Sequence, residues 1–144
     1  MKKFILIILL SLVTTNYVHA QSSVVEISWV THYIQYNGLM VMYPDNTGIF
    51  VVKYFLPNIG WIWVTQDAVL TNQYDLNGHC TSFINCYYPK SVPQVPYAAD
   101  NFIIYPNGAM YTQDALGNWS TLITARPVER RFWPVKFTEY RLNY

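Results

Sequence analysis

The sequence predicts an all-β fold: a single small domain of antiparallel meanders, built as a sandwich or a partly open barrel, behind an N-terminal export signal. Three observations carry this. Aromatic residues make up 17% of the 144-residue chain, and aromatic and β-branched side chains suit a pleated, half-buried surface. Several short runs alternate apolar and polar residues. Clusters of Asn, Asp, Gly and Pro punctuate those runs at hairpin intervals.

Residues 1–20 have the grammar of a cleaved signal peptide. Lys2 and Lys3 form a basic start, Phe4 to Val13 an apolar centre, and Val18-His19-Ala20 a small-residue cleavage site. The apolar run is shorter than the roughly 20 residues that span a bilayer. The expectation is a chain from Gln21 to Tyr144, secreted or periplasmic, with no membrane anchor. That chain carries seven basic and eight acidic residues, so its charge exerts no pull toward nucleic acid or anionic membrane.

From Val24 to Tyr36 the pattern starts as a strand, with Val25, Ile27, Trp29 and Tyr33 on one face and Glu26, Ser28 and His32 on the other. Asn37-Gly38 marks the expected turn. Leu39 to Tyr43, Ile49 to Phe55 and Trp61 to Gln66 follow as strands, separated by Pro44 to Gly48 and Pro57 to Gly60. Gln66 to Tyr74 has room for a turn or two of helix. A second meander runs through Phe102 to Tyr105, Ala109 to Gln113 and Trp119 to Ala125. Tyr-Pro-Asp-Asn-Thr-Gly at 43–48 matches Tyr-Pro-Asn-Gly at 105–108. Duplication and convergence on good hairpin chemistry both account for the match. The two meanders, 24–86 and 98–144, are joined by a Pro-rich segment over 87–101, expected to cross the domain as an extended loop. Val135 to Leu142 is expected to be a last strand, with a bulge where its parity shifts. Trp29, Val51, Trp61, Trp63, Phe102 and Trp119 are the expected core.

Cys80 and Cys86 are the two cysteines, and in an exported chain such a pair implies a disulfide closing one short loop. No cofactor is indicated, and no His or Cys cluster has metal-ligand spacing. His79 with Asp75 is the pair best suited to acid–base chemistry, yet no nucleophile motif accompanies it. Asp45, Asp67, Asp75, Asp100 and Asp114 mostly occupy turn positions, where Asp accepts backbone N–H bonds. Asn118-Trp119-Ser120 fits an N-glycosylation sequon.

Five basic residues gather after position 125, interleaved with rings. Arg130, Arg131, Trp133 and Tyr140, with Tyr105 and Tyr111 on the second meander, are the candidate binding residues, since rings plus charge suit stacking and ion pairing. The bland alternative pairs those arginines with Glu129, Glu139 and other acids on a solvated edge. Residues 102–110 (FIIYPNGAM) also resemble, as one approximate copy, the aromatic–turn–Gly–x–Met hairpins of the choline- and glucan-binding repeats of bacterial surface proteins.

Three functions remain open: a non-catalytic module that engages an extracellular glycan or protein surface through exposed aromatics, a small hydrolase using His79 and Asp75 with the C-terminal arginines, and an inhibitor or host-directed effector that inserts the Pro-rich loop.

Overall fold

In a computed structural model, residues 22–143 are described; the expected export signal, residues 1–20, lies outside them. Eight strands, β1 (Ser23–Thr31), β2 (Ile34–Met42), β3 (Thr47–Leu56), β4 (Gly60–Tyr74), β5 (Cys80–Val92), β6 (Asn101–Ile104), β7 (Met110–Gln113) and β8 (Trp119–Pro127), follow one another round an antiparallel barrel. The barrel is closed rather than partly open: β1 pairs with β8 from Val25↔Pro127 to Ser28↔Thr124. Closure leaves no unpaired strand edge, and it depends on pairing between chain segments about a hundred residues apart, which no local pattern records. No helix among the described residues is long and apolar enough to cross a membrane.

The first hairpin turns earlier than Asn37-Gly38 suggests. His32 and Tyr33 both take positive φ (52° and 64°), making a tight two-residue turn, and β2 runs straight through Gly38. Side-chain packing decides this. The earlier turn sets Tyr36 opposite Trp29, with rings stacked 5.3 Å apart, and Gly38 opposite Ile27. At Gly38 a Cβ would overlap the ring of Phe50, so the glycine is there for close approach rather than for turning.

Four other turns, at 43–47, 75–79, 105–109 and 114–118, share one geometry. In each, the first residue's N–H bonds the fifth residue's carbonyl, and its own carbonyl accepts from the fourth. The fourth residue is Asn46, Gly78, Gly108 or Gly117, all at positive φ. Asp45, Asp75, Asn107 and Asp114 cap nearby backbone donors. The matched segments 43–48 and 105–108 thus share a turn geometry that the unmatched segments 75–79 and 114–118 adopt as well.

Inside the barrel lie Ile27, Trp29, Met40, Phe50, Val52, Ile62, Val64, Ile84 and Phe102. Three rings meet at its centre: Trp29–Phe50 at 6.4 Å, Trp29–Phe102 at 5.8 Å and Phe50–Phe102 at 5.2 Å. Of the expected core, Trp29, Val51 and Phe102 are buried, but Val51 faces the outer wall, Trp61 is half exposed beside the partly covered Trp63, and Trp119 is only partly covered. Residues 66–74 continue β4, with no helical turn, and 87–92 belong to β5.

The C-terminal segment corrects the expected strand. Residues 133–139 form a helix, α1 (Trp133–Glu139), with Pro in its first turn. Trp133, Phe137 and Tyr140 are spaced by four and three, so the parity shift is a helical period. Their rings cover Val24, Leu39, Val41 and Val51 on the outer wall of β1–β3. A partly buried ion network closes the seam. Lys136 reaches Glu26 at 3.0 Å, Tyr140 donates to Glu26 at 2.9 Å, and Lys53 pairs with Glu139 at 2.9 Å.

The expected disulfide is absent: Cys80 and Cys86 are both free thiols. They stand six residues apart on the single strand β5, opposite Tyr74 and Ala68 of β4. At about 3.3 Å per residue this separates their Cα atoms by roughly 20 Å, against the ~4.4–6.8 Å a disulfide spans. Cys86 faces the core, and burial pushes its thiol up. Native protein is expected to expose only Cys80 to a thiol reagent, with Cys86 labelled on unfolding. Protection of both thiols, reversed by reductant, would contradict this.

Candidate functional site

The barrel has two unlike ends. At one lie the turns 43–47, 75–79 and 105–109; at the other lie His32-Tyr33, residues 57–59, the segment 93–100 and the turn 114–118. Below this second end Trp29, one of the central rings, contributes to the floor. Above it opens a cavity of about 460 Å³, lined among others by Trp29, Tyr36, Tyr54, Tyr97, Asp100 and Thr112. An eight-stranded barrel is just wide enough either to fill with side chains or to hold one small ligand. This chain does the first at the centre and leaves space for the second at the mouth.

The Pro-rich segment builds one wall. It does not project. Val95 and Tyr97 pack against the barrel interior, and Val95 is fastened by Ser91, whose Oγ accepts from its N–H at 2.7 Å and donates to its carbonyl at 3.1 Å. A register slip in β4–β5 supplies the second fastening. Thr65 pairs with Lys90 and Asp67 with Tyr87, so Tyr88 and Pro89 together stand opposite Gln66, with Tyr88 at φ 56°. This bulge keeps the inward parity of Ile62, Val64, Gln66 and Ala68 while letting β5 bend.

Gln66, fully buried, clasps Asp100 from both sides. Its Nε2 donates to Asp100 Oδ2 at 2.7 Å, and its Oε1 accepts from the Asp100 N–H at 2.9 Å. The Tyr97 hydroxyl donates to the same Oδ2 at 2.8 Å, and the Asp100 carbonyl accepts from the Cys86 N–H. Burial outweighs these bonds and pushes the Asp100 carboxyl up to about 6. Burial first, and the Asp100 charge among the lesser causes, also raises the Tyr36, Tyr54 and Tyr97 phenols. They stay neutral donors. Their rings run as one chain, Trp29–Tyr36 at 5.3 Å, Tyr36–Tyr54 at 5.0 Å and Tyr54–Tyr97 at 5.8 Å. The mouth therefore carries a run of aromatic rings beside one half-buried carboxylate held by a dedicated hydrogen-bond set.

The residues singled out from sequence lie elsewhere. His79 Nδ1 meets Asp75 Oδ2 at 3.2 Å, but both side chains are more than half exposed, at a turn on the opposite end of the barrel. Backbone N–H groups of the turn, His79's first, hold the Asp75 carboxyl below its usual range. Tyr105 and Tyr111 meet edge to face at 5.7 Å on the β6–β7 hairpin. Arg130 lies 5.3 Å from the Trp133 ring, and Arg131 pairs with Glu129 while covering Phe132. Tyr140 is wholly buried under α1 and presents no ring to solvent. Of the six candidate binding residues, Tyr140 is thereby withdrawn from any exposed surface.

Sequence reasoning passed over Asp100 as one turn carboxylate among five. One signal did point to it. Gln66 occupies an inward parity position in an apolar strand, and a buried amide demands partners.

The chain matches no protein-family model, no curated protein and no solved structure.

Proposed function

We propose that this protein is an exported, non-catalytic binding protein that takes a small amphipathic molecule into the mouth of its barrel. The observation that carries the reading is the open cavity itself. Its volume falls within the ~300–1,000 Å³ of small-molecule sites, and its lining joins a run of aromatic rings, Trp29, Tyr36, Tyr54 and Tyr97, to polar groups that include Asp100 and Thr112. The hydrogen bonds that fix Asp100 and Tyr97 come from within the protein, so the site is formed before a ligand arrives.

A fragment screen by NMR tests this. Binders are expected to shift resonances of Trp29, Tyr36, Tyr54, Tyr97 and Thr112, and Thr121→Trp, which puts a bulky ring on the lining, should abolish the shifts. Shifts confined to the outer wall, or none from the library, would refute the reading.

The outer wall supports a second reading, in which a glycan or protein surface is bound. Phe55 and Trp61, each about half exposed, meet at 5.5 Å on neighbouring strands, with Lys53 near the Trp61 ring. Screening shifts centred there would favour it.

A further inference from the structure

We propose that the ligand of the barrel mouth is an organic cation, an ammonium group carried on an apolar or aromatic body. The inference rests on the mouth being a binding site and adds the chemistry of its occupant.

Charge and ring placement are the grounds. The cavity lining includes Asp100 and Asp114 and neither Lys nor Arg. The cations that do lie over rings, Lys53 at Trp61, Arg130 at Trp133, Arg131 at Phe132 and Arg141 at Trp63, touch none of the rings that line the mouth. Inside the mouth, four contiguous rings stand beside a carboxylate that makes no ion pair among the described residues; the one basic side chain on the lining, His32, has its Nδ1 3.4 Å from Thr31 Oγ1. Aromatic faces attract cations through their quadrupole, most strongly when both are desolvated, and a quaternary or alkylated ammonium is the cation that leaves water most readily. Even a half-buried carboxylate without a basic partner has lost part of its hydration, and an incoming positive charge compensates that loss. An anionic ligand would meet the opposite field. The clasp of Gln66 and Tyr97 holds Asp100 where that charge is available to the cavity instead of letting it turn to solvent.

Three probes of one shape separate the possibilities: (4-hydroxyphenyl)trimethylammonium, its uncharged carbon isostere 4-tert-butylphenol, and 4-hydroxybenzenesulfonate. Affinities are read at pH 8 from NMR titration of the mouth resonances. The cation is expected to bind at least about tenfold tighter than the isostere, and the sulfonate not at all. Asp100→Asn is expected to bring cation and isostere to within about threefold while the mouth resonances still respond. Equal binding of cation and isostere by the unaltered protein, or preference for the sulfonate, would overturn the cation proposal and leave the mouth as a binding site. Failure of all three probes to shift the mouth would overturn both.

Discussion

Asp100→Asn is expected to make the protein more stable at neutral pH. In the folded chain the carboxyl titrates near 6 instead of at its ordinary 3.8, because burial penalises its charged form. The folded state therefore holds a proton that the unfolded state has released between those values. Stability linked to this group is full below about pH 4, falls as pH rises, and is lost above about 6. The shift corresponds to about 3 kcal/mol. Asparagine keeps an oxygen able to accept from Gln66 and Tyr97 and carries no charge. Urea unfolding of both proteins should give a stability difference that grows by about 3 kcal/mol in favour of the variant from pH 4 to pH 8. Taking the difference cancels carboxylates with the opposite dependence, such as Asp45 and Glu139, whose hydrogen bonds and ion pairs hold them low. A difference that is flat with pH would show that Asp100 is ionised as easily in the folded state as in the unfolded one. The gain would also indicate a residue kept for its charge rather than for stability, as binding sites often are.

Gly38→Ala is expected to destabilise the barrel by about 2 kcal/mol. Two effects oppose each other. Removing a glycine from a strand interior favours folding by about 0.5–1 kcal/mol through the unfolded chain. The added methyl, however, falls on the Phe50 ring, which is wholly buried against Trp29 and Phe102 and has nowhere to move. Overpacking of this kind costs about 1–3 kcal/mol. The clash should win, and pairing Gly38→Ala with Phe50→Leu should recover part of the loss, giving a coupling energy in a double-mutant cycle. A Gly38→Ala protein as stable as the parent would mean that β2 and β3 lie further apart than described.

Much of the fold was legible because it is written locally. Strand alternation placed Ile27 and Trp29 on one face, and the turn signals at 43–48, 57–60 and 105–108 fall where the chain reverses. Asn37-Gly38 misled because the dipeptide that best forms a tight turn also suits a strand crossing a large ring, and only Phe50, twelve residues on, distinguishes the two. The terminal helix was hidden by its brevity: Trp133, Phe137 and Tyr140 mark a single stripe, and its worth depends on the apolar outer wall of β1–β3 that it covers.

By itself, then, the sequence determined an aromatic all-β chain, the chemistry of its turns and the positions of most strands, since these follow from propensity and nearest neighbours. Tertiary structure alone decided the rest. Closure required β1 to find β8, the thiols were kept apart by the extended stretch of β5 between them, and the mouth was assembled from residues as distant as Trp29 and Asp100, with Gln66 holding the latter. A carboxylate acquires its chemistry from what surrounds it, and those surroundings come from strands that meet only when the barrel closes.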